Sequence, residues 1–409
     1  MPIHSICSEP YPAAWRWPQL QKGGIGALRS ASFIEWRYYA VLAEAFHGIV
    51  GLALVNPEGR FRALAESGLL LIVAGVMDRP RLPDAAMAGK SPPLWMPPPA
   101  ELCWMHRFPT GACTFDDPAP GALAAGDAEC RIALTHRNPA CARIEIEAAA
   151  GLRLRLSHAG LAGIALTPVT DRRLGGALDP LRSDWTVDCP SPIAATDGTL
   201  ELDPGLLAAL PPGPGRTPSY ATPALRERIA AGARRWAWQQ GSGYYEHSYG
   251  IRPLPLHGWD FLFAPDALQG QAVVLQTYRG SRKLYYLDVC WQENGAPRKH
   301  HFGADRLHRE WTASAPDPVL GVRRPLLRQI RAECDGFRLE LENRVLHRLP
   351  LLRQQSLAVR HFFISEEIGV VDWTLTDRHG AVLATATGQP SGGELAHFRH
   401  RVHRRSPYG

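Results

Sequence analysis

The sequence has no apolar run long enough to span a membrane: Leu69 to Met77 is halted by Asp78-Arg79-Pro80. The opening residues, Met1-Pro2-Ile3-His4-Ser5, lack the basic start and apolar stretch of a secretory signal. Eight cysteines are spread out (Cys7, Cys103, Cys113, Cys130, Cys141, Cys189, Cys290, Cys334), with no Cys-x-x-Cys pair among them. That spacing argues against a zinc site and fits free thiols in a reducing cytosol. No glycine-rich loop enters a helix, so a nucleotide cradle is not expected. Basic residues form no stripe, and the net charge of +6 is mild, so nucleic acid is not an expected partner. Only the tail from His397 to Arg405 gathers His and Arg, as a frayed terminus or as a contact with an anionic membrane surface. The expectation is a cytoplasmic protein, with that membrane contact as the alternative, and with no metal and no cofactor. Oligomeric state is left open.

What is present is a soluble, globular composition, 45% hydrophobic and 21% charged. At 409 residues, two domains are the prior. Strand-like segments dominate: Ser32 to Leu42, Gly48 to Val55, Leu69 to Met77, Leu102 to Phe108, Cys130 to Arg137, Ala142 to Glu147 and Leu152 to Ser157. Ile144-Glu145-Ile146-Glu147 and Leu152-Arg153-Leu154-Arg155-Leu156 alternate with the period of half-buried antiparallel strands. Prolines crowd Asp78 to Pro99, which predicts a surface loop. A Pro/Gly tract from Asp203 to Gly215 predicts the domain boundary, giving domains 1–210 and 211–409. Thr222-Pro223 is a helix start, and Leu225, Ile229 and Ala233 at helical spacing predict a helix ending near Gln240-Gly241. Strand patterns resume at Tyr244 and recur to Thr387. Many short strands joined by Gly/Pro turns predict antiparallel barrels or sandwiches rather than βα units.

The chemistry is densest in Gly243-Tyr244-Tyr245-Glu246-His247-Ser248-Tyr249-Gly250, with Trp259-Asp260 shortly after. On a strand, Tyr245, His247 and Tyr249 share one face, and Tyr244, Glu246 and Ser248 the other. Glu246 and His247 therefore reach one pocket only if a bulge intervenes. Ordinary packing, with Glu246 paired to an arginine, is the competing reading. Glu35-Trp36-Arg37-Tyr38-Tyr39 is the N-terminal counterpart, with Glu35, Arg37 and Tyr39 on one face. Facing a barrel interior, Glu35 would be kept ionised by Arg37; facing out, both are surface charge. Tyr286 and Asp288 share a strand face further on.

Glu35-Trp36-x-Tyr38-Tyr39, Tyr245-Glu246-His247-x-x-Gly250, Trp259 and Asp372-Trp373 resemble the tandem lipocalin-like superfamily of carotenoid hydratases, AttH-like proteins, tocopherol cyclases and lipocalin-type Diels–Alderases. The resemblance spans about residues 30 to 390 and implies an all-β fold of two antiparallel lipocalin-like barrels holding a hydrophobic ligand. Where the hydratases carry a His-Asp-His-x-Trp-like motif, this chain has Tyr245-Glu246-His247-Ser248-Tyr249, and Tyr286-Leu287-Asp288 stands where they have Tyr-x-Asp. The resemblance implies an enzyme that protonates an alkene of a polyene, isoprenoid or polyketide-like molecule, with hydration or cyclisation. Glu246, His247, Tyr245 and Asp288 are the expected catalytic residues. Glu35, Trp36, Tyr38, Tyr249, Trp259, Asp260, Tyr286 and Trp373 are the expected substrate-binding residues. The alternatives are a pericyclase, in which the pocket only holds a folded conformer, and a carrier of a hydrophobic ligand without turnover.

Overall fold

The computed structural model describes residues 14–17, 33–59, 67–79, 99–161, 164–166, 169–172, 184–213, 219–251, 258–279, 284–316, 323–354 and 359–400. The expected loop between Asp78 and Pro99 and the tail beyond residue 400 lie largely outside them. Among the described residues no helix is long and apolar enough to cross a membrane. The seven described cysteines are free thiols.

Alternation of apolar and polar side chains, broken by Gly, Asn and Asp turns, builds almost everything from antiparallel strands. The first sheet begins with β1 (Phe33–Leu42), β2 (Phe46–Val55), β3 (Gly68–Met77) and β4 (Ala100–Phe108). It continues with β5 (Cys113–Phe115), β6 (Leu123–Gly126), β7 (Cys130–Asn138), β8 (Cys141–Ala148) and β9 (Leu152–Gly160). Then come β10 (Val169–Arg172), β11 (Asp184–Leu202), β12 (Tyr220–Ala221) and β13 (Arg234–Ile251), with helices α1 (Pro204–Ala209) and α2 (Pro223–Ile229) between them. The strand order is β12-β4-β3-β2-β1-β13-β11-β9-β8-β7-β6-β5, with β10 against β11.

The second sheet contains β14 (Gly258–Asp266), β15 (Gln271–Arg279), β16 (Leu284–Glu293), β17 (Ala296–Gly303) and β18 (Leu307–Pro316). It is completed by β19 (Arg323–Cys334), β20 (Phe337–Gln354), β21 (Val359–Thr376) and β22 (Val382–His400), in the order β17-β16-β15-β14-β22-β21-β20-β19-β18. Both sheets curl into half-barrels, so the expected all-β architecture of antiparallel sheets is the observed one.

Contacts divide the chain into a unit of Met1–Asp78 with Ala100–Pro255 and a unit of Arg79–Pro99 with Leu256–Gly409. The division after Pro255 differs from the expected one at residue 210. The physical reason is that the chain beyond the Pro/Gly tract stays with the first unit: Tyr220 and Ala221 pair with Cys103 and Leu102, and Thr222 Oγ1 accepts the Glu101 amide N–H at 2.9 Å. Part of the tract is itself helical, because Pro204 sits at the start of α1 and Leu206 and Leu207 bury one side.

The helix after Thr222 starts where expected but stops at Ile229. Gly232 takes φ +144°, which ends the helix, and Trp236 and Trp238 then turn inward with strand period between exposed Arg235 and Ala237. The first sheet curls tightly where Gly48 and Gly75 oppose each other, since a Cβ on Gly48 would lie 2.1 Å from the Ala74 carbonyl oxygen.

Each unit has its own apolar core, the first gathered from the inward residues of β1 to β9, β11 and β13. The second holds Leu262, Leu275, Leu287, Ile330, Leu341 and Trp373 among others. On the outer face of the first sheet, Arg131, Glu147, Arg153, Glu201 and Arg235 oppose one another across five strands in alternating sign. These pairs are largely exposed, so they keep the face soluble and add little stability.

Candidate functional site

Strands β1 and β13 pair without interruption from Phe33↔Ile251 to Leu42↔Ser242. No bulge intervenes on that side, so the faces follow strict alternation. Tyr245, His247 and Tyr249 join Tyr39, Arg37 and Glu35 on the core-facing side, and Glu246 lies on the other. The expected partnership in which His247 orients Glu246 is therefore not formed. His247 instead donates from Nε2 to Glu35 Oε1 at 2.8 Å, both side chains being fully buried.

Glu35 settles the alternative posed by the sequence: it faces inward. Burial pushes its carboxyl up, but the His247 hydrogen bond, the charges of His247 and Arg37 and the Arg16 amide outweigh that and hold it below its ordinary value. Its oxygens also accept the backbone N–H groups of Arg16 at 2.9 Å and Trp17 at 3.1 Å. Burial, reinforced by Arg37, lowers His247 to about 4 despite the pull of Glu35, so the ring is neutral and Nδ1 is its basic nitrogen.

Arg37 donates to His136 Nε2 at 3.1 Å, and Tyr39 Oη lies 2.9 Å from the same nitrogen. Burial, with Arg37 next, lowers His136 to about 3, and burial lowers His158 to about 4. Tyr39 and Tyr245 stack at 4.4 Å and 7°, and burial raises both phenols. A neutral imidazole braced by a carboxylate is a competent base, yet in this closed arrangement every member of the pair is sealed from solvent.

On the other face of β13, Glu246 accepts a hydrogen bond from Tyr244 Oη at 2.8 Å at one oxygen and from Ser248 Oγ at the other. Tyr38 lies directly opposite it on β1 and Trp36 opposite Ser248, with Tyr38 edge-on to Tyr244 at 6.2 Å. Glu246→Gln keeps this shape, and the hydroxyl meeting the new amide can turn to accept. The expected stability loss in a urea titration is about 1 kcal/mol, well below that of a broken buried ion pair.

Trp259, Asp260, Tyr286, Asp288 and Trp373 all belong to the second unit. Asp260 points into its core, one residue out of phase with Trp259. Its Oδ2 accepts from Arg309 at 2.6 Å and its Oδ1 from Arg328 at 2.9 Å, and Arg328 also pairs with Glu367. Asp260 is thus held in a buried ion network rather than lining a pocket. Trp373 donates to Gln389 at 2.8 Å within the core. Asp288 is buried and accepts from the half-exposed His301 at 3.1 Å, a hydrogen bond that raises His301.

Trp259 leads to residues that the sequence did not single out. Its indole Nε1 donates to Glu394 Oε1. Glu394 on β22 stands directly opposite Glu366 on β21, and the side chains of the two hydrogen-bond. Two facing carboxylates at strand spacing repel, and holding one proton between them removes the repulsion. Burial raises Glu394 to about 7 against the lowering effect of the Trp259 and Glu366 hydrogen bonds. Glu366 is buried, while Glu394 and Trp259 keep partial exposure.

Phe261 shares the register position of Glu394, between Asp260↔Leu395 and Phe263↔Gly392, and pairs with Gln276, which pairs with Tyr286. A row of Glu366, Glu394, Phe261, Gln276 and Tyr286 therefore crosses five strands. Among the solved structures that resemble the chain, three illustrate the match. They are CghA with Sch210972 (TM-score 0.48, 11% identity, 91% of this chain and 90% of that one) and kievitone hydratase from Nectria haematococca (0.46, 8%, 91% and 90%). The third is an AttH-like protein from Nitrosomonas europaea (0.43, 13%, 95% and 97%). No family model and no curated protein matches the chain.

Among the described residues no group of three His, Cys, Asp or Glu side chains is placed to hold a metal ion. The Glu366–Glu394 pair is the group in the second unit best arranged to hold a transferable proton at neutral pH. Its one sequence signal was acidic residues inside otherwise apolar strands, Glu366-Glu367 before Ile368 and Glu394 before Leu395.

Proposed function

We propose that the protein is an acid–base enzyme that protonates an alkene of an apolar isoprenoid or polyketide-like molecule, leading to hydration or cyclisation, with the Glu366–Glu394 pair as proton donor. The observation carrying this reading is the direct opposition of the two carboxyl groups beside the Trp259 indole. A carboxylic acid kept neutral near pH 7 is matched to proton donation at that pH.

The pair gives its proton to one alkene carbon, and the neighbouring carbon becomes cationic. The faces of Trp259 and Phe261 are of the type that stabilises such charge. In hydration, water adds to the cation and returns a proton to the pair. In cyclisation, a second alkene of the same molecule closes onto the cation, and the ring loses a proton to the pair. Either way the carboxyl pair ends as it began.

The test is incubation in D2O with an acyclic carotenoid and with shorter isoprenoid dienes, followed by mass analysis. The expected product carries a new C–D bond, accompanied by the elements of heavy water in hydration, and it is absent with Glu394→Gln. Ligand that binds but is recovered unchanged and unlabelled makes the protein a carrier. A rearranged product without deuterium makes it a pericyclase.

A further inference from the structure

The backbone amides of Trp15, Arg16 and Trp17 donate to side chains in the polar interior of the first unit. The Trp15 N–H donates to both oxygens of Asp116, at 2.9 and 3.2 Å, and the amides of Arg16 and Trp17 donate to Glu35. The Trp15 ring covers the Arg37 guanidinium at 4.2 Å and meets Phe115 edge-on at 5.0 Å. The Arg16 guanidinium lies over Tyr249 at 4.9 Å. Glu35 and Arg37, which the segment touches, are buried, as are His247 and His136, which hydrogen-bond to them.

We propose that residues 14–17 occupy, as an intramolecular ligand, a binding site for a planar aromatic molecule bearing hydrogen-bond donors, and that this strap must leave before the site is used. Three features carry the proposal. What the strap supplies is what such a ligand would supply: an aromatic face on Arg37 and two N–H donors on Glu35. A core made only for stability gains little from buried charges, since apolar side chains of equal volume serve as well or better. Finally, the charges keep partners when the strap leaves. Glu35 retains His247 at 2.8 Å, and Arg37 retains His136 at 3.1 Å and the Gly121 carbonyl at 3.4 Å. Opening therefore strands no charge and breaks no strand pairing of β1.

The proposal concerns the first unit alone and does not depend on Glu394 as a proton donor. Hydrogen exchange on the full chain, read at the amides of Arg16 and Trp17, tests the opening. These amides are expected to exchange at least about tenfold faster than the paired amides of β1, as a local opening requires. Exchange no faster than β1 makes the strap a fixed part of the fold and overturns the proposal.

Binding of N-acetyltryptophanamide, an indole with two amide donors, tests the site. Trp15→Ala is expected to lower its Kd at least about tenfold relative to the unchanged protein, and adding Glu35→Gln is expected to reverse the gain. A folded Trp15→Ala protein that binds the probe no better also overturns the proposal. If that variant does not fold, the exchange result on the unchanged chain decides.

Discussion

Glu394→Gln is expected to lower turnover on the order of a hundredfold or more while leaving ligand affinity nearly unchanged. Glutamine keeps the shape and can still accept from the Trp259 indole, but it has no proton to donate. The same residue sets the pH dependence. Because burial raises Glu394 to about 7, the donor form is present below that pH and is lost as pH rises through it. The rate should therefore fall on the alkaline side of pH 7, and the variant should lack that limb. Glu366→Gln keeps an amide that can donate the hydrogen bond lowering Glu394, so the limb should stay on the alkaline side of pH 7 while activity persists in the acid range. Rate–pH profiles of the three proteins with a deuterium-labelled product as readout check this. A variant at Glu394 with wild-type turnover contradicts the acid role.

The first unit is expected to lose stability as pH falls below about 6.5. His136 and His158 are held neutral by burial, with values lowered to about 3 and about 4 from 6.5. Between those values and 6.5 the unfolded chain binds protons that the folded chain refuses, so each histidine removes about 1.4 kcal/mol of stability per pH unit. Glu35 adds to the loss at more acid pH. Its folded value lies below 4.5, so the stability it contributes is present above 4.5 and is lost as pH falls through its folded value.

Together the two histidines remove about 7 kcal/mol by pH 4, comparable with the margin of an ordinary domain, about 5–15 kcal/mol. Urea midpoints at pH 7.5, 6 and 5, followed by hydrogen exchange of β13, should fall in that order. His158→Gln should flatten the slope, though substitution in the core lowers stability at every pH. A midpoint that stays level down to pH 4.5 contradicts the neutral histidines.

The face-by-face reading of the two aromatic motifs was available from the sequence because strand side chains alternate strictly. Glu35, Arg37 and Tyr39 do share a side, as do Tyr245, His247 and Tyr249. That these two sets meet was not available, since Glu35 and His247 are 212 positions apart and only the pairing of β1 with β13 joins them. The pairing of Glu394 with Glu366 likewise depends on register, which a single residue of slip would abolish.

Long strands were hidden by their own prolines. β11 runs through Pro190 and Pro192, where its pairing with β13 shifts register between Asp188 and Ala194, so the prolines sit at irregularities rather than ending the strand. The helix expected to run on to Gln240-Gly241 failed for the opposite reason. Ala233 continues the helical spacing of Leu225 and Ile229, but Trp236 and Trp238 beyond it are buried as part of the sheet, and packing overrode local propensity.

The most direct measurement is the infrared spectrum of the folded protein between pH 5 and 9, taken as the difference between the unchanged chain and Glu394→Gln. A carboxyl proton held by the Glu366–Glu394 pair gives a protonated-carboxyl carbonyl band at pH 6. The account predicts that this band disappears with an apparent midpoint near pH 7 and is absent from the variant at every pH. If the difference spectrum shows no protonated carboxyl at pH 6, both glutamates are ionised and the proposed proton donor does not exist.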